Sequence, residues 1–285
     1  MPVQHDPELP NPSWVISTAL CLALEPGPTE VLLKVAACGV CRSDYQLLDG
    51  YFKKPFPVEF PYIPGHEVTG RVAGLGNAVP KAVGYSEGDM VAVSPSWGDG
   101  TCRQCREGNE QLCSGNGRWL GFGPPGGFAE YVVVESRYAI RVSGEAAKTP
   151  EFLAPMTDAG MTPYRGMRKL SSTGRLGPDR TVAVTGIGGL GSYVVQYAKL
   201  FGAGSTVVAL GRSDDTLDVA RQNGAELTYM GSFWGNYLDL AEVLSLAEAG
   251  LVKHDVTKIR LEDINEKVEA LGRGDVVGRQ VIVFD

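Results

Sequence analysis

The stretch Thr181-Val-Ala-Val-Thr-Gly186-Ile-Gly188-Gly189-Leu190-Gly191 decides the α/β part of the fold. Five β-type residues precede a G-x-G-x-x-G spacing, and Tyr193 to Phe201 follows with the pattern of a helix. Glycines permit the tight turn and let the backbone approach a pyrophosphate, which rests on the helix N-terminus. The spacing alone is weak, and a glycine-rich turn without ligand is the alternative. Between a strand and a helix, it predicts a dinucleotide site.

The residues after the second predicted strand, Val207 to Leu210, indicate which nucleotide is bound. A site for NAD usually has Asp or Glu there, to hold the ribose 2′-hydroxyl. This chain has Gly211, which leaves room for a 2′-phosphate, and then Arg212 and Ser213, which can bind one through charge-assisted hydrogen bonds. We predict NADP(H) as the cofactor. NAD(H) stays open because Asp214 and Asp215 follow directly.

The organisation of the chain changes near residue 155. Short β-type runs divided by Gly and Pro precede this point, and alternating strands and helices, which indicate a parallel α/β sheet, follow it. From residue 252 the pattern is β-like again, with one helix near Glu262 to Leu271. The sequence predicts a β-rich domain interrupted by an α/β insertion, with segments 1–155, 156–251 and 252–285.

The composition excludes several classes of protein. The 285 residues are 44% hydrophobic and 21% charged, which is ordinary for a globular protein. A net charge of -7 without a Lys/Arg cluster excludes nucleic acid as a partner, and no apolar run is long enough for a membrane span. Three of six cysteines lie between Cys102 and Cys113, which suits metal binding in a reducing compartment. We therefore expect a cytoplasmic protein.

Two short motifs indicate a metal site with an open position. They are Gly39-Val-Cys41-Arg-Ser-Asp44 and Gly65-His66-Glu67, in a chain with only three histidines. A thiolate and an imidazole with flanking carboxylates suit zinc, and three protein ligands plus one exchangeable position is the arrangement of catalytic zinc. Asp158 is the candidate for the third ligand.

With these motifs the chain resembles the zinc-containing alcohol dehydrogenases of the medium-chain dehydrogenase/reductase superfamily. The most specific piece is the signature Gly65-His66-Glu67-x2-Gly70-x5-Gly76-x2-Val79, which the sequence satisfies in full. Supporting segments are Gly127 to Tyr131, Asp158 to Tyr164, and Gly278-Arg279. The resemblance implies an α/β protein with a GroES-like β-barrel catalytic domain and an inserted Rossmann-type domain.

The resemblance also implies roles for single residues. Cys41, His66 and Asp158 would bind the catalytic zinc, and Glu67 would be an alternate ligand. Asp44 would orient His66 from behind.

Further residues would serve the proton and the cofactor. Ser43 would begin the proton relay, in which Gln46 stands where some relatives have His. Arg42 and Arg279 would hold the cofactor pyrophosphate.

The implied reaction is hydride transfer between a nicotinamide cofactor and an alcohol, aldehyde or ketone, with zinc polarising the carbonyl oxygen. Such an enzyme would be a homodimer or homotetramer. Apolar loops at Tyr51 to Tyr62, Trp97 and Trp119 mildly favour hydrophobic or aromatic substrates. For any one of these residues, a position in a solvated surface loop is an equally good interpretation.

A second metal site is predicted in a cysteine-rich loop. Cys102-x2-Cys105-x7-Cys113 has the spacing of the family's structural zinc loop, with Asp99 where that loop has its first cysteine. Aspartate binds zinc through oxygen, so three thiolates and one carboxylate form a sound ligand set. The alternative is an empty loop held by packing.

The other cysteines and histidines allow simpler interpretations. Cys21 and Cys38 lie in strand-like runs, which favours buried apolar positions. His5 and His254 have no ligand-like neighbours, so we expect them to be solvated.

The chain departs from the family after Met230. There it continues directly into Gly231-Ser-Phe-Trp-Gly, which resembles a segment near the end of the Rossmann domain, so on the order of 60 residues are missing. We expect three strands where a complete Rossmann sheet has six. Two other readings stay open: a catalytically impaired zinc-binding family member, and a zinc-free quinone or enone reductase.

Overall fold

The computed structural model describes residues 25–52, 62–186, 189–210 and 234–284, which form two compact units. Unit 1 comprises Met1–Trp97, Arg118–Pro155 and Val256–Asp285, and unit 2 comprises Gly98–Gly117 and Met156–Asp255. The predicted early strand at 14–24 and the predicted helix at 216–223 lie outside the described residues. Within them, no helix has the length and apolar character of a membrane span.

Unit 1 is built mainly from β-strands. Its strands are β1 (Glu30–Gly39), β2 (Glu67–Leu75), β3 (Met90–Val93), β4 (Ser96–Trp97), β5 (Arg118–Trp119), β6 (Tyr131–Glu135), β7 (Ala139–Val142), β10 (Val256–Ile259) and β11 (Arg279–Val283). Its helices are α1 (Arg42–Leu48), α3 (Pro150–Leu153) and α7 (Ile264–Arg273). The predicted β-type runs in this part of the chain are therefore confirmed.

The long strand β1 organises the main sheet of unit 1. It pairs antiparallel with β2 along most of its length, with β6 over its first half and with β11 over its last three residues. The sheet order is β10-β11-β1-β2-β3-β7, with β6 beside β1. Among the described strands of this sheet, only β10 and β11 pair in parallel. Residues from the beginning and the end of the chain therefore meet at the end of β1.

The core of unit 1 consists of the inward-facing side chains of this sheet, including Val31, Leu33, Val35 and Val68. Cys38 is also buried, as predicted. Trp97 is 4% exposed, donates to the Ser94 carbonyl at 2.9 Å and stacks on Tyr138. The expectation that Trp97 lines a substrate pocket is therefore wrong, because its ring packs in this core.

Unit 2 contains the α/β part of the chain and the cysteine-rich loop. Its described strands, β8 (Thr181–Thr185) and β9 (Thr206–Leu210), pair in parallel. Its helices are α2 (Arg103–Arg106), α4 (Met161–Ser171), α5 (Gly191–Phe201) and α6 (Tyr237–Glu248). Helix α4 packs against both α5 and α6. The predicted strand-helix alternation is confirmed over these residues.

One predicted solvated side chain has a specific partner in unit 2. His254 is half-buried, and its Nδ1 lies 2.8 Å from the hydroxyl of Tyr193, which is buried on α5. The expectation of a solvated His254 is therefore wrong. A lone histidine gives no sequence signal for such a contact, because its partner is 61 residues away.

Candidate metal and cofactor sites

The register of β1 and β2 brings the two metal-binding motifs together. Gly39 at the end of β1 pairs with Glu67 at the start of β2. Cys41 follows β1 by two residues and His66 immediately precedes β2, so the strand pairing places both at one end of the sheet. Cys41 also caps helix α1 in an extended conformation. The potential ligand atoms of Cys41, His66 and Glu67 lie within 4.8 Å of one another.

Asp44 holds both motifs in position. Its Oδ2 accepts a hydrogen bond from the backbone N–H of Cys41 at 2.9 Å, and its Oδ1 accepts one from Gly65 at 3.2 Å. The same Oδ1 lies 3.1 Å from Nδ1 of His66, and both side chains are fully buried. A carboxylate at Nδ1 favours the tautomer with the proton there, so Nε2 carries the lone pair that a metal needs.

Glu67 is held by an arginine from the far end of the chain. Arg279, at the start of β11, donates to both carboxylate oxygens of Glu67, one of them at 2.6 Å. Both side chains are buried. The position of Gly39 leaves the space for this carboxylate, since a Cβ there would lie 1.9 Å from Oε2 of Glu67. Sequence reasoning missed this pair, because it joins residues 212 positions apart.

Aromatic side chains of unit 1 pack beside the cluster of Cys41, His66 and Glu67. The Phe122 ring lies 5.0 Å from that of His66, and Phe52 packs edge-on against Phe122 at 5.8 Å. Burial raises the pKa of the Tyr62 hydroxyl above its ordinary value, and the charge of Asp44 adds to this shift. No motif marked Phe122, which lies between glycines in a loop. Cys41 is 4% exposed and His66 and Glu67 are fully buried, and burial strengthens electrostatic interactions at the cluster.

The remaining predicted residues of this site lie at its margin or in unit 2. Ser43 is near Cys41, with 3.6 Å between its Oγ and the cysteine Sγ. Arg42 begins helix α1 and is exposed. Asp158 belongs to unit 2, where it is 3% exposed and its Oδ1 accepts from the hydroxyl of Thr162 at 2.9 Å.

The cysteine-rich loop forms a second cluster, entirely within unit 2. The donor atoms of Asp99, Cys102, Cys105 and Cys113 lie within 4.8 Å of one another. Cys102 caps the short helix α2, and its Sγ lies 3.5 Å from that of Cys105 and 3.9 Å from that of Cys113. Three sulfurs and one carboxylate oxygen at this spacing fit the ligand set of a structural zinc.

Hydrogen bonds from backbone N–H groups stabilise the ionised forms of Asp99 and Cys102 in this cluster. Hydrogen bonds from Thr101 and Cys102 lower the pKa of the Asp99 carboxyl well below its ordinary value. The backbone N–H groups of Cys105 and Ser114 lower the pKa of Cys102 to about 6, whereas burial raises that of Cys105 to about 12. Asp99 is therefore a carboxylate, and Cys102 is mostly a thiolate, near neutral pH before any metal binds.

The glycine-rich loop has the predicted strand-turn-helix context. It links β8 to α5, and Gly186 adopts a φ of +82°, a conformation that favours glycine. Gly189, Leu190 and Gly191 lead into α5, and the hydroxyl of Ser192 donates to the Gly189 carbonyl. Gly188 of this loop lies outside the described residues, as do the cofactor-selecting residues Gly211, Arg212 and Ser213.

The sequence is similar to known dehydrogenases over nearly its whole length. Residues 27–144 match the alcohol dehydrogenase GroES-like domain. An NAD-dependent alcohol dehydrogenase of Sulfurisphaera tokodaii is 32% identical, with 91% of this chain and 94% of the relative aligned. A D-arabinose 1-dehydrogenase (NADP(+)) of Saccharolobus solfataricus is 29% identical, with 90% and 91% aligned.

Solved structures agree with this relationship. The alcohol dehydrogenase of Aeropyrum pernix superposes with a TM-score of 0.80 at 27% identity, covering 93% of this chain and 95% of that one. A cobalt- and zinc-bound thermostable alcohol dehydrogenase of Pyrobaculum aerophilum has a TM-score of 0.74 at 27% identity, covering 93% and 94%. The chain thus belongs to the zinc-type alcohol dehydrogenases of the medium-chain dehydrogenase/reductase superfamily. The predicted membership and the predicted fold are confirmed.

The alignment with the Sulfurisphaera tokodaii relative also contains many positions that this chain lacks. It extends over 337 positions, but 91% of 285 residues is only about 259, so on the order of 80 positions have no residue in this chain. The predicted loss of on the order of 60 residues from the Rossmann part, at roughly 30 residues per strand-helix-strand unit, stays a prediction.

Proposed function

We propose that this protein is a zinc-dependent oxidoreductase that transfers hydride between a nicotinamide cofactor and an alcohol, aldehyde or ketone. The observation that carries the proposal is the buried grouping of a thiol, an imidazole and a carboxylate at the end of β1. Asp158, at the matching family position, is the proposed third zinc ligand beside Cys41 and His66. Glu67 is the proposed alternate ligand. The second cluster is proposed to hold a structural zinc.

The side chains around this cluster would prepare it for a metal. Asp44 fixes the ring of His66 and the backbone of Cys41, so two donors are oriented before any ion arrives. When bound, zinc supplies a Lewis acid for a carbonyl oxygen, and the nicotinamide supplies the hydride. Ser43 beside Cys41 is placed to begin the proton relay between the buried site and solvent.

The carboxylate of Glu67 has two proposed roles, as the ion-pair partner of Arg279 and as an alternate metal ligand. Its ion pair with Arg279 offsets the cost of burying both charges. We propose that this pair keeps Glu67 beside the metal cluster as an alternate ligand. The family resemblance also implies that Arg279, together with Arg42, holds the cofactor pyrophosphate, and both remain proposed cofactor contacts.

The proposed cofactor is NADP(H), with NAD(H) as the alternative. The proposal depends on Gly211, Arg212 and Ser213 in the position that selects between a 2′-phosphate and a 2′-hydroxyl. Relatives named for each cofactor occur among the similar proteins.

Metal content and turnover measured on the same preparation test the proposal. We expect two zinc ions per chain, and faster reduction of an aldehyde and ketone panel with NADPH than with NADH. Removing the metal with a chelator should abolish turnover, and added Zn²⁺ should restore it. Full activity in a preparation with no metal would contradict the proposal and favour the zinc-free reductase.

A catalytically impaired zinc-binding protein is the second candidate. The positions that this chain lacks in the 337-position alignment favour it, if they fall in the sheet that a Rossmann fold uses to position the cofactor. Titration with NADPH distinguishes the two candidates. Binding in the micromolar range with turnover supports the enzyme, whereas two bound zinc ions without cofactor binding support the impaired protein.

A further inference from the structure

Residues 98–117 fold with unit 2 and are hydrogen-bonded to its α/β part at the turn of Gly108 and Asn109. We call this segment the metal lobe. At the turn, the side-chain oxygen of Asn109 accepts a hydrogen bond from Arg165 on α4. The carbonyl of the preceding Gly108 accepts one from the side chain of Asn236, which caps α6. Arg165 and Asn236, which we call the anchor residues, therefore reach from the α/β part of unit 2 to the same two-residue turn.

The turn lies between two of the cluster's sulfur donors. Gly108 has a φ of +74°, and its N–H donates to the carbonyl of Cys105 at 3.0 Å. On the other side, Leu112 donates to the carbonyl of Asn109 at 2.8 Å, one residue before Cys113. The positions of Cys105 and Cys113 thus determine where the turn lies. A metal that holds both sulfurs would hold the turn as well.

The two anchors converge on one buried carboxylate at the start of α6. Arg165 donates to Oδ2 of Asp239 at 2.9 Å as well as to the metal lobe. Asn236 accepts from the backbone N–H of Asp239 at 2.8 Å, and its own N–H donates back to the Asp239 carboxylate at 2.9 Å. Each anchor therefore contacts the lobe and the first turn of α6 at the same time.

Asp239 depends on these donors because it is almost fully buried. Its side chain is 1% exposed, Arg165 is 11% exposed, and Arg168 completes the set with a bond to Oδ1 at 2.9 Å. A buried carboxylate is stable only when its charge is paired and its oxygens are hydrogen-bonded. Displacing Arg165 with the turn would therefore loosen the beginning of α6.

We propose that metal binding in the lobe is coupled to helix α6 through Arg165 and Asn236. The metal then stabilises the α/β part of unit 2 and not only its own loop. Coupling between two sites is reciprocal, so the bonds that transmit stability to α6 also tighten metal binding by the same factor. The inference requires zinc in the lobe but makes no use of turnover at the first cluster.

Hydrogen exchange tests the coupling in the full-length Cys41→Ser variant, in which the first cluster lacks a ligand and a chelator acts mainly on the lobe. With Zn²⁺ bound, amides in 103–113 and in 237–248 should both be protected. Chelation should speed exchange in both segments, by about tenfold in α6. Equal α6 exchange with and without Zn²⁺, or a lobe that binds no Zn²⁺, would overturn the proposal even if the enzyme is active.

Two further variants separate coupling from simple stabilisation. Asn109→Ala removes the acceptor for Arg165 but leaves the Gly108 carbonyl bonded to Asn236. Chelation should therefore still speed exchange in 103–113 but change α6 by about threefold instead of tenfold. Arg168→Ala is the matched control, because Arg168 binds Asp239 without contacting the lobe; its α6 response to chelation should persist. The Zn²⁺ affinity of Asn109→Ala should fall by the factor lost in α6. An undiminished α6 response in Asn109→Ala would refute the role of this contact.

Discussion

The two clusters of potential metal ligands differ in how the chain assembles them. The first collects Cys41, His66 and Glu67 from two segments through the pairing of β1 with β2, and its side chains are buried and held by other side chains. The second takes all its donors from one short loop, and backbone N–H groups hold them near the surface. A site made by sheet register should fail when a strand or a buried charge is disturbed. A site made by local spacing should lose its metal when a donor is lost, and changes around it should only weaken metal binding.

Replacing one sulfur donor in each cluster gives the largest expected contrast. Cys41→Ser should lower kcat/KM by on the order of 1000-fold, because a catalytic metal contributes several kcal/mol to the transition state. Cys105→Ser should also lose one zinc ion but keep activity within about tenfold at a temperature where the fold persists. Steady-state kinetics and metal analysis on both variants check this. Retained activity in Cys41→Ser would remove the first cluster from the mechanism.

Breaking one ion pair near each cluster compares the stability contribution of a buried pair with that of an exposed pair. Arg279→Met leaves the carboxylate of Glu67 buried without its partner, so the free energy of unfolding should fall by about 3–5 kcal/mol. Arg103→Met, which removes an exposed pair with Glu107 in the metal lobe, should cost less than about 1 kcal/mol. Urea denaturation measures both.

The double variant Arg279→Met/Glu67→Gln controls for the lost packing of the arginine. Removing the buried charge together with its partner should recover most of the stability. If the double variant is as unstable as Arg279→Met alone, packing and not charge explains the loss.

A glycine abuts a carboxylate in each cluster. A Cβ at Gly39 would lie 1.9 Å from Oε2 of Glu67, and one at Gly115 would lie 2.0 Å from Oδ2 of Asp99. Gly39→Ala should destabilise the protein by about 1–3 kcal/mol, since Glu67 has no room to move in the core. Gly115→Ala should cost less than about 1 kcal/mol but weaken zinc binding in the lobe. Thermal unfolding with metal titration distinguishes the two, and equal costs would contradict the contrast.

The smallest expected effect is the reactivity of the lobe cysteines after chelation. Because hydrogen bonds lower the pKa of Cys102 to about 6, most of it is thiolate at pH 7, while Cys105, with a pKa of about 12, stays protonated. Weaker nucleophilicity at low pKa offsets much of the gain, so Cys102 should alkylate about twofold to threefold faster than an ordinary thiol. Peptide-resolved alkylation from pH 5 to 9 should show its midpoint near 6.

The same shift predicts how the metal-free lobe responds to pH. A lowered pKa means that deprotonation of Cys102 favours the folded lobe, fully above the unfolded value near 9 and not at all below about 6. Lobe protection in hydrogen exchange should therefore decrease as the pH falls through this window. A constant protection between pH 9 and 6 would contradict the assignment.

The features that could be predicted from the sequence are the local ones. The strand at Met90–Val93, the strand-glycine-helix unit at 181–201 and the Cys102-x2-Cys105 spacing all follow from residues close together in the chain. The pair of Arg279 with Glu67 and the core position of Trp97 depend on which strands are neighbours. Side-chain periodicity tells that a strand exists but carries little information about its partner, and these features were therefore missed.

The position of β11 beside β1 has a consequence for biosynthesis. Ribosomes add about 5–20 residues per second, and 212 positions separate Glu67 from Arg279, so the arginine emerges on the order of 10–40 s later. During that interval the nascent chain contains Cys41 and His66 but lacks the strand that closes their sheet edge. We expect this edge to need protection by a chaperone until residue 279 has left the exit tunnel.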